Sequence, residues 1–110
     1  NWYHVKALVA KLVSFGWKRV AVYGAGEFFL EMLPHLQANG IQIEALVDRK
    51  AEAGEVMTVA GYPVLPLSDA LGKGAKRFII SSVAFRDEIA QRIATTAGAL
   101  GRKDIQMIGV

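Results

Sequence analysis

The chain has 110 residues, 53% of them apolar, with 13 basic and 10 acidic side chains for a formal charge of +3. That is one domain's length with ample material for one core, and the slight apolar excess points to surface that packs on a neighbouring domain or a second subunit. The absence of cysteine excludes a disulfide framework, a thiolate nucleophile and a Cys-based metal site.

Basic residues fall in scattered pairs, Lys18/Arg19, Arg49/Lys50, Lys76/Arg77 and Arg102/Lys103. No run marks a nucleic-acid tract and no basic amphipathic helix marks a membrane surface. Apolar runs are short of a bilayer span and no signal-peptide pattern opens the chain. The expectation is a cytoplasmic protein with no nucleic-acid or membrane partner. Asn1 rather than Met opens the chain, as in a processed product or an excised piece of a longer protein.

Residues 2–15 read as an amphipathic helix, with Trp2, Val5, Leu8, Val9, Leu12 and Val13 at helical spacing and Gly16 as the stop. This N-terminal segment, 1–16, either packs on the sheet or bridges to an upstream domain; for Trp2 and Tyr3 a core role is favoured. Arg19–Tyr23 is a buried strand that runs into Gly24-Ala25-Gly26, and a helix follows to about Asn39 with Pro34 inside it. Residues 41–48 form a second strand. Residues 49–61 lack a period and read as a loop with a turn near Ala53-Gly54. Residues 62–66 fit a third strand, placed at the sheet edge by its two prolines. Ser68 or Asp69 caps a one-turn helix through Leu71. Arg77–Ser82 is a fourth, central strand. A helix over 84–100 carries Ile89, Ile93 and Ala97 on one stripe, and 105–110 is the last strand. No internal repeat is found. Right-handed crossovers then give one α/β domain over 1–110, three-layered and doubly wound, with a mainly parallel sheet of about five strands in the order 3-2-1-4-5. Val20, Val22, Phe78 and Ile80 are expected among the most buried residues.

Gly24-Ala25-Gly26 with Asp48, 22 residues beyond Gly26, supplies most of a dinucleotide-binding fingerprint. The glycines permit a sharp turn, the helix start offers free N–H groups, and a carboxylate at that distance accepts from ribose hydroxyls. Phe29 stands in place of the third glycine, and Glu27 puts negative charge where a pyrophosphate would lie. In the competing reading the glycines only allow the turn and Glu27 caps its own helix. Arg49 and Lys50 could hold a phosphate beside Asp48, although a basic pair on a loop is usually solvated, and Ser81 and Ser82 end the fourth strand at the crevice where open α/β sheets bind ligands. Helix capping is the favoured role for Ser82. Asp87 and Glu88 suit the positive end of the last long helix. His4 and His35 have no metal-ligand spacing, and no nucleophile–base pair is present. The candidate binding set is therefore Gly24, Ala25, Gly26, Glu27, Asp48, Arg49, Ser81 and Ser82, with no catalytic or metal-ligating residue.

Through Tyr23-Gly24-Ala25, Val47-Asp48-Arg49, Gly61-Tyr62-Pro63-Val64 and Asp87-Glu88-Ile89, residues 18–95 resemble the small Rossmann-like modules of sugar-nucleotide and polysaccharide enzymes. The C-terminal module of the sugar C-methyltransferases is the nearest in pattern. The N-terminal sugar-binding domain of the β-helix sugar acyltransferases is similar in layout, but Glu27 and Phe28 stand where that family often carries a His. Lys50-Ala51 also replaces the Pro that commonly follows the Asp-Arg turn. The resemblance implies a nucleotide-like pocket over Gly24, Gly26 and Asp48 in a non-catalytic accessory module of a larger transferase, with a nucleotide-sugar as ligand and a neighbouring domain or a second copy as partner. The alternatives are an NAD(P)-binding domain of an oxidoreductase and a structural or dimerisation domain with an empty pocket.

Overall fold

A computed structural model describes residues 2–110. In chain order the elements are α1 (Trp2–Phe15), β1 (Arg19–Tyr23), α2 (Glu27–Ala38), β2 (Gln42–Val47), α3 (Arg49–Glu52), β3 (Thr58–Val59), β4 (Tyr62–Leu65), α4 (Leu67–Gly72), β5 (Arg77–Ile80), α5 (Arg86–Ala99) and β6 (Gln106–Gly109). The strands form one sheet of order β3-β4-β2-β1-β5-β6. All neighbours are parallel except the β3–β4 hairpin.

Strand periodicity divides the core cleanly. Val20, Val22, Leu46, Val64 and Ile79 face α1 and α2, whereas Ala21, Tyr23, Ala45, Val47, Phe78 and Ile80 face α4 and α5. Successive side chains of a strand point to opposite faces, so a sheet covered on both sides needs apolar residues at every position. Val20, Val22 and Phe78 are wholly buried and Ile80 is nearly so. Ile89, Ile93 and Ala97 anchor α5, as their spacing predicts.

Several expectations are corrected. The sheet has six strands rather than five, because the 49–61 segment is not a plain loop: it holds α3 and the antiparallel strand β3. Consequently β4 is not the edge. It pairs with β2 through Val64 and Leu65 and with β3 through Tyr62 and Pro63. Pro63 is tolerated because β3 and β2 need few donors from so short a strand. On β2 the register with β1 slips between Val20 and Ala21, leaving Glu44 bulged out towards Arg19, 3.5 Å away. Only the second half of β2 is fully buried. Neither Ser68 nor Asp69 caps α4. Its N-cap is Pro66, without a side-chain bond, and Glu52 Oε1 accepts from Leu67 N–H at 3.1 Å.

On α1, Val5, Leu8, Val9 and Leu12 are buried, but Trp2, Tyr3 and Val13 are exposed, against the expected stripe. Lys6 Nζ lies over the exposed Trp2 ring, 4.2 Å from its centroid. Exposed Phe15, Leu30, Val56, Val83 and Phe85 add to the apolar surface. Among the described residues no helix is long and apolar enough to cross a membrane.

Candidate functional site

Crossovers from β1 run one way to β2 and the other way towards β5, so the switch point lies over the carboxyl ends of β1 and β5. The chain leaves β1 at Gly24, whose N–H donates to Val47 O at 2.7 Å, and Ser81 N–H donates to Tyr23 O at 3.0 Å. The ladder therefore continues one residue past each strand before the loops diverge.

Four of the expected residues converge there. Asp48 Oδ2 accepts from Ala25 N–H at 2.9 Å and Oδ1 from Lys50 N–H at 3.0 Å. One carboxylate thus fixes the glycine turn and caps α3. Ser81 is buried, and its hydroxyl reaches both Tyr23 O, at 3.0 Å, and Gly24 O, at 2.8 Å. Gly24 has φ +117°, and a Cβ there would run into Ser81 Oγ. The glycine is needed for both its dihedral angle and its close approach.

The other four stand apart from this network. Gly26 is the N-cap of α2 without a side-chain bond, and Glu27 sits exposed in the first turn, so Glu27 does not cap its own helix. The first helical bond is Leu30 N–H to Gly26 O, which leaves the N–H groups of Glu27, Phe28 and Phe29 without an intrahelical acceptor. Ser82 Oγ accepts from Phe85 N–H at 3.2 Å, which closes the loop ahead of α5; the N-cap itself is Phe85. Arg49 lies over the Phe85 ring, 5.6 Å from its centroid, bridging α3 to the 81–85 loop across the crevice. Phe29, in the third-glycine position, is buried in the core and meets Tyr62 edge-on at 6.2 Å.

A polar cluster under the Arg49–Phe85 bridge was not legible in the sequence. Tyr23, Arg49, Glu52, Glu88, Ile89 and Arg92 enclose a cavity of about 130 Å³. Arg92 pairs with Glu52, whose side chain is mostly buried. The Tyr23 hydroxyl is sealed from solvent; the Arg92 guanidinium approaches it, but no group meets it with full hydrogen-bonding geometry. Burial first, then the Glu52 and Asp48 carboxylates, raise the pKa of this phenol above its ordinary value, while the nearby Arg92 guanidinium pulls it down. The bond to Glu52 keeps Arg92 firmly protonated. The available signals were a tyrosine ending a strand on the α5 side and the Glu88/Arg92 pair at helical i,i+4 spacing.

A second cavity, about 340 Å³, opens beside the start of α2, lined by His4, Ala7, Leu8, Lys11, Phe28, Val83, Gly109 and Val110. Among the described residues no group of three His, Cys, Asp or Glu side chains could hold a metal ion.

No protein-family model matches the chain, and no curated protein matches it. Among solved structures it is similar to a crystal structure of RSP, a Rex-family repressor, with 13% identity and a TM-score of 0.54. The match covers 84% of this chain and 52% of that one, so the chain spans about half of its length. The likeness extends to the fold alone: an α/β domain of Rossmann-like type.

Proposed function

We propose that this chain is a nucleotide-binding module, with its ligand lying across the carboxyl ends of β1, β2 and β5 and a nucleotide-sugar as the preferred class. In this reading it is the accessory part of a larger sugar-modifying transferase and performs no chemistry itself. The observation that carries the proposal is the state of Asp48. Two backbone N–H groups orient its carboxylate at the crevice rim, and about four lone-pair sites leave room for two further donors. A ribose supplies such donors without dismantling the turn. Phosphates would then use the free N–H groups at the start of α2, against the opposing charge of Glu27.

A second reading, binding of NAD(P), is favoured by the cavity of about 340 Å³ that Phe28, in the first turn of α2, and Val83, in the loop after β5, help to line. The RSP protein is named as a repressor; carried over, that reading would make this chain a ligand-responsive half of a regulator.

Calorimetry with UDP-glucose and NAD⁺ separates the two. A charge-assisted hydrogen bond contributes roughly 1.5–3 kcal/mol, so Asp48→Ala should weaken the bound ligand about ten- to a hundredfold. Glu27→Gln should tighten it by relieving repulsion. Stronger binding of NAD⁺ would promote the second reading. Absence of binding by either ligand would refute both and leave a structural role for the domain.

A further inference from the structure

Resting on the nucleotide reading, we propose that the cavity over the Tyr23 hydroxyl is the subsite that takes a vicinal diol of the ligand's sugar. A Phe would supply the same apolar contacts to α4 and α5, yet this position carries a hydroxyl that is buried and unpartnered. Such a group is destabilising on its own and becomes favourable when a ligand pairs it. Arg49, the residue after Asp48, forms one wall of the cavity, so a sugar held at the rim carboxylate lies beside it, and its diol pairs with the phenol as the Arg92 guanidinium moves off the hydroxyl.

Charge decides which group fits. The walls carry two guanidinium groups, from Arg49 and Arg92, and two carboxylates, from Glu52 and Glu88. A phosphate would meet both carboxylates with Asp48 beside them, and an ammonium group would meet both cations. A neutral diol both donates and accepts, and so satisfies each wall. At about 130 Å³ the space equals roughly four waters, enough for two hydroxylated carbons and too little for a purine.

The diol can come from the ribose or from a linked hexose, and three probes distinguish them: UDP, 2′-deoxy-UDP and UDP-glucose, each titrated calorimetrically into the wild-type chain and Tyr23→Phe. Removing an unpartnered hydroxyl should leave the melting temperature unchanged or raised, so lost affinity would not reflect lost folding. The expected result is about three- to tenfold weaker binding by Tyr23→Phe, the size of one neutral hydrogen bond. A loss with UDP but not with 2′-deoxy-UDP places the ribose in the subsite. A loss confined to UDP-glucose places the hexose there. If Tyr23→Phe matches the wild type for all three probes while Asp48→Ala weakens them, the subsite is refuted and the nucleotide reading stands. If no probe binds the wild type, both fall.

Discussion

Replacing Gly24 by Ala tests the geometry that joins β1 to β5. At φ +117° an L residue is strained, at a cost of about 1–3 kcal/mol. The added Cβ also displaces the Ser81 hydroxyl from Tyr23 O and Gly24 O, losing about 1 kcal/mol more. The sum, about 2–4 kcal/mol, is a large part of a small domain's stability and corresponds to a fall in melting temperature of roughly 10–25 °C. Ser81→Ala alone should cost only about 1 kcal/mol, since Tyr23 O keeps the Ser81 N–H. Once Oγ is gone, the nearest atoms to the new Cβ are Ser81 Cβ and C at 3.5 and 3.9 Å, ordinary contacts. The double variant should therefore be about as stable as Gly24→Ala, short of additivity by about 1 kcal/mol. Urea unfolding followed by far-UV circular dichroism measures all four species, with a common slope confirming comparable unfolding. An additive double variant, or a Gly24→Ala within about 0.5 kcal/mol of the wild type, would refute this account.

Arg102 donates to Leu71 O at 2.8 Å and Ala75 O at 3.0 Å, tying the turn after α5 to the end of α4, so Arg102→Met should cost about 1–3 kcal/mol in the same urea assay. Asp104 holds Arg102 in place but is exposed, and Asp104→Asn should change stability far less than Arg102→Met. The Tyr23 phenol loses its proton less readily folded than unfolded. Between the ordinary tyrosine value near 10 and the higher folded one, the unfolded chain therefore holds fewer protons, and stability falls as pH rises through that window. Tyr23→Phe should flatten this decline relative to the wild type, as read from unfolding midpoints measured at rising alkaline pH; identical slopes would show that the phenol titrates alike in both states.

Much of the architecture was legible because it rests on one-dimensional patterns. Unbroken apolar runs at Val20–Val22 and Phe78–Ile80 mark strands covered on both faces, and Ile89, Ile93 and Ala97 mark one face of a helix. The hairpin at β3 carries little local signal. Its turn places Ala60, at φ 51°, and Gly61, at φ 86°, in the left-handed region, and Ala-Gly lacks the Asn-Gly signature of such turns. Pairing with β4 overrides that weak local preference and moves Tyr62–Leu65 into the sheet interior.

The glycine turn and Asp48 could be paired from spacing alone, since the crossover from β1 to β2 has a nearly constant length in this fold. Sequence determined that these residues meet. Only the tertiary structure decided what they do there: Asp48 spends two acceptor sites on the backbone, Ser81 fills the space beside Gly24, and Arg49 leans onto Phe85. The cavity over Tyr23 is assembled from β1, α3 and α5, elements separated by dozens of residues. A single buried hydroxyl among two arginines and two glutamates leaves no periodic trace, because its environment is set by how helices dock on the sheet rather than by any neighbour in the chain.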